Sequence, residues 1–385
     1  MTASATPLAA PVRAARRRPV ETPILTLDLE QIRRNHDLLR TAFPGIWLYY
    51  AVKANPAPDI LATLADAGCR FDVASIGEAF AAVAAGGDLA HLSYTTPAKK
   101  FADIKAAYEL GVPWFTADSA DEVDKVAAAA PGASLFVRIA VANDGAAAPF
   151  GDKFGCDPEH AADLLRRAAR AGLSPAGVSW HVGSQQLDVH AWDKPIEAAA
   201  GIAHDFGHLP LLNLGGGLPV AYTDPVPELH SYAAAIFASV EQHFGDNRPQ
   251  LILEPGRAIA ASAGVIETEV VQVIHRQGTR WVYLDAGKYG GLIETEGEAI
   301  HYPMHAPDVD GPTGPAIVAG PTPDGDDVLY QQHRPELPLA LGSGDRVLIE
   351  RTGAYTASYS AVRFGGLPPL AVRVIDSGKH ERSGG

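Results

Sequence analysis

The feature that most constrains this chain is a repeat of strand and helix signals. Short apolar runs end near Lys53, Ala74, Tyr94, Phe115, Ala140, His181, Leu214 and Glu254, and most intervals between them carry an amphipathic stretch. Phe101, Ile104, Tyr108 and Val112 mark one such stretch; 122–130, 160–171, 192–206 and 229–244 mark others. Strands joined by helices must run parallel, and eight units are enough to close into a (β/α)8, TIM-type barrel. An open doubly wound sheet alternates in the same way, but the regularity of the eight units favours closure. Past Arg257 the pattern changes. Runs at 265–271, 281–284, 315–319, 327–330 and 346–350 read as strands without helices between them, which predicts a mostly-β domain, a barrel or a sandwich. The stretch 300–326, rich in Pro, Gly and Asp, reads as a long loop. The expected organisation is a disordered basic tail over 1–20, a strand within 21–30 that joins the β domain, a barrel over 31–262 and the β domain over 263–385.

In barrels of this kind the chemistry gathers at the C-terminal ends of the strands. The aromatic run Trp47–Ala51 leads into Lys53 and a turn at Asn55-Pro56. A lysine at the mouth of a buried strand is desolvated, and desolvation favours the neutral amine that attacks a carbonyl. Asp72 and Ser75 close the second strand and Arg138 lies at the end of the fifth. His181-Val182-Gly183-Ser184-Gln185 follows the sixth, Gly215-Gly216-Gly217 the seventh and Glu254-Pro255-Gly256-Arg257 the eighth. Glycine backbone with Gly256 and Arg257 can receive an oxyanion, and the last two strands are where barrels often hold phosphate. Taken singly, a triple glycine is an ordinary turn and His181 an ordinary core histidine. Taken together, a phosphate cradle, a flat ring partner, an acid and a lysine suit pyridoxal 5'-phosphate, with Glu254 protonating the pyridine nitrogen.

The chain carries 45 acidic and 31 basic residues, a net charge of −14, which argues against nucleic acid or an anionic membrane as its partner. No apolar run reaches the length of a membrane-spanning helix. The two cysteines, Cys69 and Cys156, provide neither a disulfide framework nor metal-ligand spacing, which suggests a cytoplasmic protein and no metal.

With these motifs in hand, the chain from about 22 to 376 resembles the fold-type III pyridoxal-phosphate decarboxylases, the ornithine/diaminopimelate/arginine decarboxylase group. It is most similar to the bacterial ornithine and lysine/ornithine members. Tyr50-Ala51-Val52-Lys53-Ala54-Asn55, Phe71-Asp72-Val73-Ala74-Ser75, the His181, Gly215 and Glu254 motifs, Asp285-Ala286-Gly287-Lys288-Tyr289-Gly290-Gly291 and Gly353-Ala354-Tyr355-Thr356 follow one another in the family's order. The resemblance implies that Lys53 carries the cofactor as a Schiff base with Asp72 nearby, and that His181 stacks on the ring. It further implies that Glu254 pairs with the ring nitrogen, and that Ser184, Gly217, Arg257 and Tyr355 hold the phosphate. Asp285, Tyr289 and Asp324 would form the substrate end. The family is a homodimer with active sites shared across the interface, and Lys153 and Asp327 match a pair that bridges it.

One departure bears on the reaction. The family loop Gly-Pro-x-Cys-Asp/Glu is here Gly320-Pro321-Thr322-Pro323-Asp324, so the acid survives as the ornithine-type Asp324 while Pro323 replaces the cysteine. That cysteine is implicated in protonating the α-carbon, which proline cannot do. Three readings stay open: another group or water, such as His181 or Lys53, protonates the carbon; the product becomes an aldehyde; or the substrate differs. Phe364-Gly365-Gly366 also departs, since relatives carry Asn in the middle. The favoured expectation is decarboxylation of an ornithine- or lysine-like or related non-standard amino acid to an amine. The alternatives are a regulatory pseudoenzyme of the same fold and an amino-acid racemase.

Overall fold

The computed structural model describes residues 21–378, so the basic tail expected over 1–20 lies outside the described residues. The described residues form two compact units: Arg33–Val220 with Val226–Ala258, and 21–32 with Ala221–Pro225 and 259–378. In chain order the strands are β1 (Ile24–Asp28), β2 (Trp47–Ala51), β3 (Arg70–Val73), β4 (Leu92–Tyr94), β5 (Trp114–Ala117) and β6 (Ser134–Arg138). β7 (Ala146–Ala148), β8 (Ser174–Ser179), β9 (Ser184–Gln186), β10 (Leu211–Asn213) and β11 (Gln250–Leu253) follow.

In the first unit, β2, β3, β4, β5, β6, β8, β10 and β11 close into an eight-stranded parallel barrel. The apolar runs that read as strands in the sequence are the ones buried on both sides of this wall, as parallel sheets require. Tyr49, Phe136, Ala176 and Ile252, from four of the strands, pack inside it against Trp47, Trp114 and Leu211. The helices between strands begin on local caps. Ser75 accepts the Glu78 N–H at 3.2 Å, and the Glu78 carboxylate returns to the Ala74 N–H at 2.7 Å. The helix Phe101–Leu110 corrects one expectation: Phe101 and Tyr108 are 50 % and 40 % exposed, and the helix buries Ile104 and Ala107 instead. A small residue on the inner face lets the helix approach closely, and the larger rings are left outside. β7 and β9 form a separate antiparallel pair in the loops after β6 and β8.

The second unit is built on β12 (Gly264–Arg276) and continues through β13 (Thr279–Leu284), β14 (Met304–His305), β15 (Thr313–Pro315), β16 (Ile317–Ala319) and β17 (Val328–Tyr330). β18 (Glu336–Pro338), β19 (Arg346–Glu350) and β20 (Ala371–Ile375) complete it. These make an eight-stranded mixed sheet in which β1 lies between β12, antiparallel, and β20, parallel; β15 and β18 pair separately. The stretch expected to be one long loop over 300–326 is interrupted by three short strands, β14, β15 and β16. Each is two or three residues long, too short to show a two-residue period, and only β16 falls within a run marked as a strand in the sequence, 315–319.

Phe136 is fully buried inside the barrel. Phe136→Ala is expected to destabilise the unit by about 3–5 kcal/mol, read as a lower denaturation midpoint in urea.

Candidate active site

Lys53 lies in a single 3-10 turn, Val52–Ala54, that follows β2 directly. The turn is fixed from beyond: the Tyr50 hydroxyl donates to the Asn55 carbonyl at 3.0 Å, and Asn55 Oδ1 accepts the Ala57 N–H at 3.1 Å. Lys53 is half-buried, and no described side chain hydrogen-bonds its Nζ. Its charge acts on Asp72, Glu78, His181 and Glu254, which places all four around it.

Asp72, on β3, is 2 % exposed and accepts the Thr95 hydroxyl at 2.5 Å. Burial raises its pKa, against the pull of Lys53. Glu254, just past β11, is pushed from 4.5 up to about 8, first by burial and then by the charge of Asp72. Arg138, at the end of β6, loses some basicity to burial while Glu254, Asp118 and Asp72 support its charge. Two carboxyl groups, a guanidinium and an amine thus share one pocket with little water to screen them.

Histidine 181 follows β8. Its Nδ1 accepts the Gly183 N–H at 3.1 Å, so the ring proton sits on Nε2. Burial, then the charges of Lys53 and Arg138, lower its pKa well below 6.5, and the ring is neutral. Phe150 meets it edge-on, with centroids 4.6 Å apart, and Asn143 ties the preceding loop to the His181 carbonyl at 3.2 Å.

The triple glycine is demanded by the chain itself. A Cβ at Gly216 would stand 2.8 Å from the Glu254 carbonyl and 3.1 Å from His181 Nε2, and one at Gly217 would stand 2.6 Å from the Gly183 carbonyl. Gly215 and Gly217 also adopt φ of +68° and +111°. Asn213, at the end of β10, fastens this turn to the acid: its side chain donates to Glu254 Oε1 at 2.5 Å and accepts the Gly215 N–H at 3.0 Å. Arg257, after Gly256, is 4 % exposed and donates to the Ser184 hydroxyl at 2.9 Å.

The barrel mouth therefore gathers Lys53, Asp72, Arg138, His181, Ser184, Gly215, Gly216, Gly217, Glu254, Gly256 and Arg257. Sequence reasoning did not single out Asn213, Glu78, Thr95, Asn143 or Phe150. For Asn213 a signal existed in its position one residue before the Leu214 strand end.

In the β unit, Asp285 accepts the Glu269 N–H at 3.0 Å and its pKa is raised by burial. The Tyr289 hydroxyl donates to Asp324 Oδ2 at 2.8 Å and the Asp326 N–H to Oδ1 at 3.0 Å. These bonds, the Asp326 one first, hold Asp324 below the usual carboxylate range, while accepting the proton of Tyr289 pushes that phenol up to about 12. A cavity of about 260 Å3 is lined by Asp285, Tyr289, Pro321, Thr322, Phe364 and Leu370 among others. Pro323 is exposed on the same loop as Asp324. Tyr355 stands at φ +55° with its ring against Tyr359. Lys153 is exposed, with Nζ 5.0 Å from the centre of the Phe154 ring, whereas Asp327 is 2 % exposed and finds its hydrogen-bond donors within its own chain.

The donor set fits a pyridoxal group. It offers an amine with no hydrogen-bond partner among the described residues, a neutral flat ring and a carboxyl whose raised pKa a cationic ring nitrogen would relieve. An Arg257–Ser184 pair beside glycine backbone is ready for an anion. Comparison with known proteins agrees. The model of the family described as "pyridoxal-dependent decarboxylase, pyridoxal binding domain" matches residues 29–261. The chain belongs to this family: it is a fold-type III pyridoxal-dependent amino-acid decarboxylase, and pyridoxal 5'-phosphate is its cofactor. It is 38 % identical over 353 residues to the lysine/ornithine decarboxylase of Selenomonas ruminantium, covering 90 % of this chain and 88 % of that protein. Among solved structures, lysine decarboxylase from Selenomonas ruminantium superposes with a TM-score of 0.86 at 34 % identity, over 98 % of this chain and 99 % of that one. Lysine/ornithine decarboxylase from Vibrio vulnificus, complexed with cadaverine, gives 0.85 at 30 %, over 94 % and 97 %.

Two outcomes follow from the mouth. Because the folded pKa of Glu254 lies above its ordinary 4.5, the cofactor-free protein keeps full stability below that value and loses it as pH rises towards about 8. Glu254→Gln is expected to flatten this loss, measured as the difference in unfolding midpoint between pH 5 and pH 8. Gly216→Ala is expected to displace His181 or Glu254 and weaken cofactor binding by about tenfold or more, read by titrating the apoprotein with pyridoxal phosphate.

Proposed function

We propose that this chain removes the α-carboxyl group of a basic, ornithine- or lysine-like amino acid and releases the amine. It would work as a cytoplasmic homodimer in which the Asp324 loop of one chain serves the site of the other. The observation that carries the substrate class is Asp324 itself: an exposed carboxylate held ionised and oriented by Tyr289 and the Asp326 N–H. A carboxylate so prepared favours a distal ammonium and rejects side chains without one. The names of the Selenomonas and Vibrio relatives support the same class.

In this reading Lys53 carries the cofactor, His181 lies against its ring, Glu254 holds the ring nitrogen's proton, and Ser184, Gly217, Arg257 and Tyr355 take the phosphate. The bound cofactor supplies an electron sink for the pair left when the carbon–carboxylate bond breaks. Pro323 leaves no sulfur acid on the loop. His181 is a poor replacement, because its ring is neutral and a neutral Nε2–H is a very weak acid. Lys53 Nζ, with no described hydrogen-bond partner, is the group assigned to deliver the proton to the substrate's α-carbon.

Purified protein with pyridoxal phosphate, offered lysine, ornithine and arginine in deuterated water, is expected to yield carbon dioxide and an amine with one deuteron at the α-carbon by mass spectrometry. An aldehyde would show that losing the cysteine redirects the proton, and no carbon dioxide from any basic amino acid would sink the reading. Asp324→Asn is expected to raise KM for the basic substrate by about 10- to 100-fold, the loss of a charge-assisted hydrogen bond.

A further inference from the structure

The Asp324 carboxylate is exposed on a loop, yet its direction is set by a built framework, and the centre of that framework is Asp327. Its Oδ1 accepts the Lys288 N–H at 2.8 Å, and Oδ2 accepts the Thr322 N–H at 3.1 Å and the Thr322 hydroxyl at 2.7 Å. Its own backbone closes the loop, taking the Gly320 N–H at 2.8 Å and giving its N–H to the Asp324 carbonyl at 3.2 Å. One buried carboxylate therefore staples the turn that carries Tyr289 to the loop that carries Asp324. The fit is tight: a Cβ at Gly287 or at Gly320 would collide with the Asp327 carboxylate, so both glycines are required for it to sit between the two segments. Tyr289 completes the link through its hydroxyl, while its ring rests on Phe364 with centroids 4.4 Å apart. The nearby ammonium of Lys288 is engaged by Glu296 at 2.5 Å, so it does not occupy Asp324.

We propose that Asp327 and Tyr289 are positioning residues: Asp327 staples the 320–327 loop to the 287–289 turn, and Tyr289 aims the Asp324 carboxylate along one direction for the substrate's distal ammonium. The substrate part rests on the reading of Asp324 given above; the staple does not. A carboxylate with one lone pair on each oxygen already committed has fewer ways to meet a cation. The arrangement selects a chain length as well as a charge, because the ammonium must arrive where the remaining lone pairs point.

The test combines a double-mutant cycle with hydrogen exchange on the holoenzyme. Tyr289→Phe keeps the ring contact with Phe364 and removes only the donor. It is expected to raise KM for the preferred basic amino acid by about tenfold, with a smaller change in kcat, and to change KM less than about twofold when Asp324 is already Asn. Asp327→Asn turns an acceptor into a donor facing N–H groups. It is expected to speed amide exchange across 320–327, and Tyr289→Phe to do so more weakly at Asp326. Additive KM effects in the cycle, or a fall in kcat alone, would overturn the aiming role of Tyr289. Unchanged loop exchange in Asp327→Asn would overturn the staple. If Asp327→Asn does not fold, Thr322→Val, which removes one donor to Asp327, takes its place in the exchange measurement with the same two outcomes. A wild type inactive on every basic amino acid would sink the proposed function, and loop exchange would still decide the staple.

Discussion

Two carboxyl groups, Asp72 and Glu254, face one amine and one guanidinium in a space where burial makes every uncompensated charge expensive. Burial raises the pKa of both, the charge of Asp72 raises Glu254 further, and Lys53 and Arg138 only partly offset this. The apoprotein therefore holds an electrostatic imbalance that a cationic ring nitrogen relieves. Most of the mouth is arranged around that imbalance. Asn213 holds Glu254 by one arm and the glycine turn by the other, and Gly216 is bare because the Glu254 carbonyl and His181 leave no room for a side chain. Burial, with the charges of Lys53 and Arg138, keeps His181 neutral, which disqualifies it as an acid.

The β unit solves a different problem. An exposed carboxylate on a loop would normally sample many directions and bind a cation weakly. Asp324 is confined by bonds that lead back to a single buried residue, so its precision comes from Asp327 and two glycines rather than from rigid secondary structure. Burying a carboxylate is tolerable there because three donors satisfy it.

Much of this was legible in the sequence. The strand ends read from apolar runs place Lys53, Asp72, His181 and Glu254 at the barrel mouth, because a parallel strand buried on both faces leaves its polar residues at the ends. What could not be read was lateral. Asn213 looks like one more polar residue near a strand end; its role exists only because β10 and β11 are neighbours in the closed sheet. Thr95 and Phe150 reach the site from loops whose course no period encodes. Phe101 and Tyr108 matched a helical stripe whose other members, Ile104 and Val112, are buried, yet lie outside, since an amphipathic period does not say how much of a stripe meets the barrel. Within 300–326 only the run at 315–319, which contains β16, was legible; β14 and β15 stayed hidden because two- and three-residue pairings carry no alternation.

The pairing of β1 has a consequence for synthesis. β1 lies between β12 and β20, so a strand near the start of the chain is hydrogen-bonded on one side to a strand near its end. During translation it emerges with both edges bare, and neither partner exists until the whole barrel has been made. The barrel unit holds all its strands from β2 to β11 and can close while the ribosome is still working. The β unit is finished only when its last strand is free. The order of assembly is thereby written into the topology: the cofactor-binding half first, the half bearing Asp324 last.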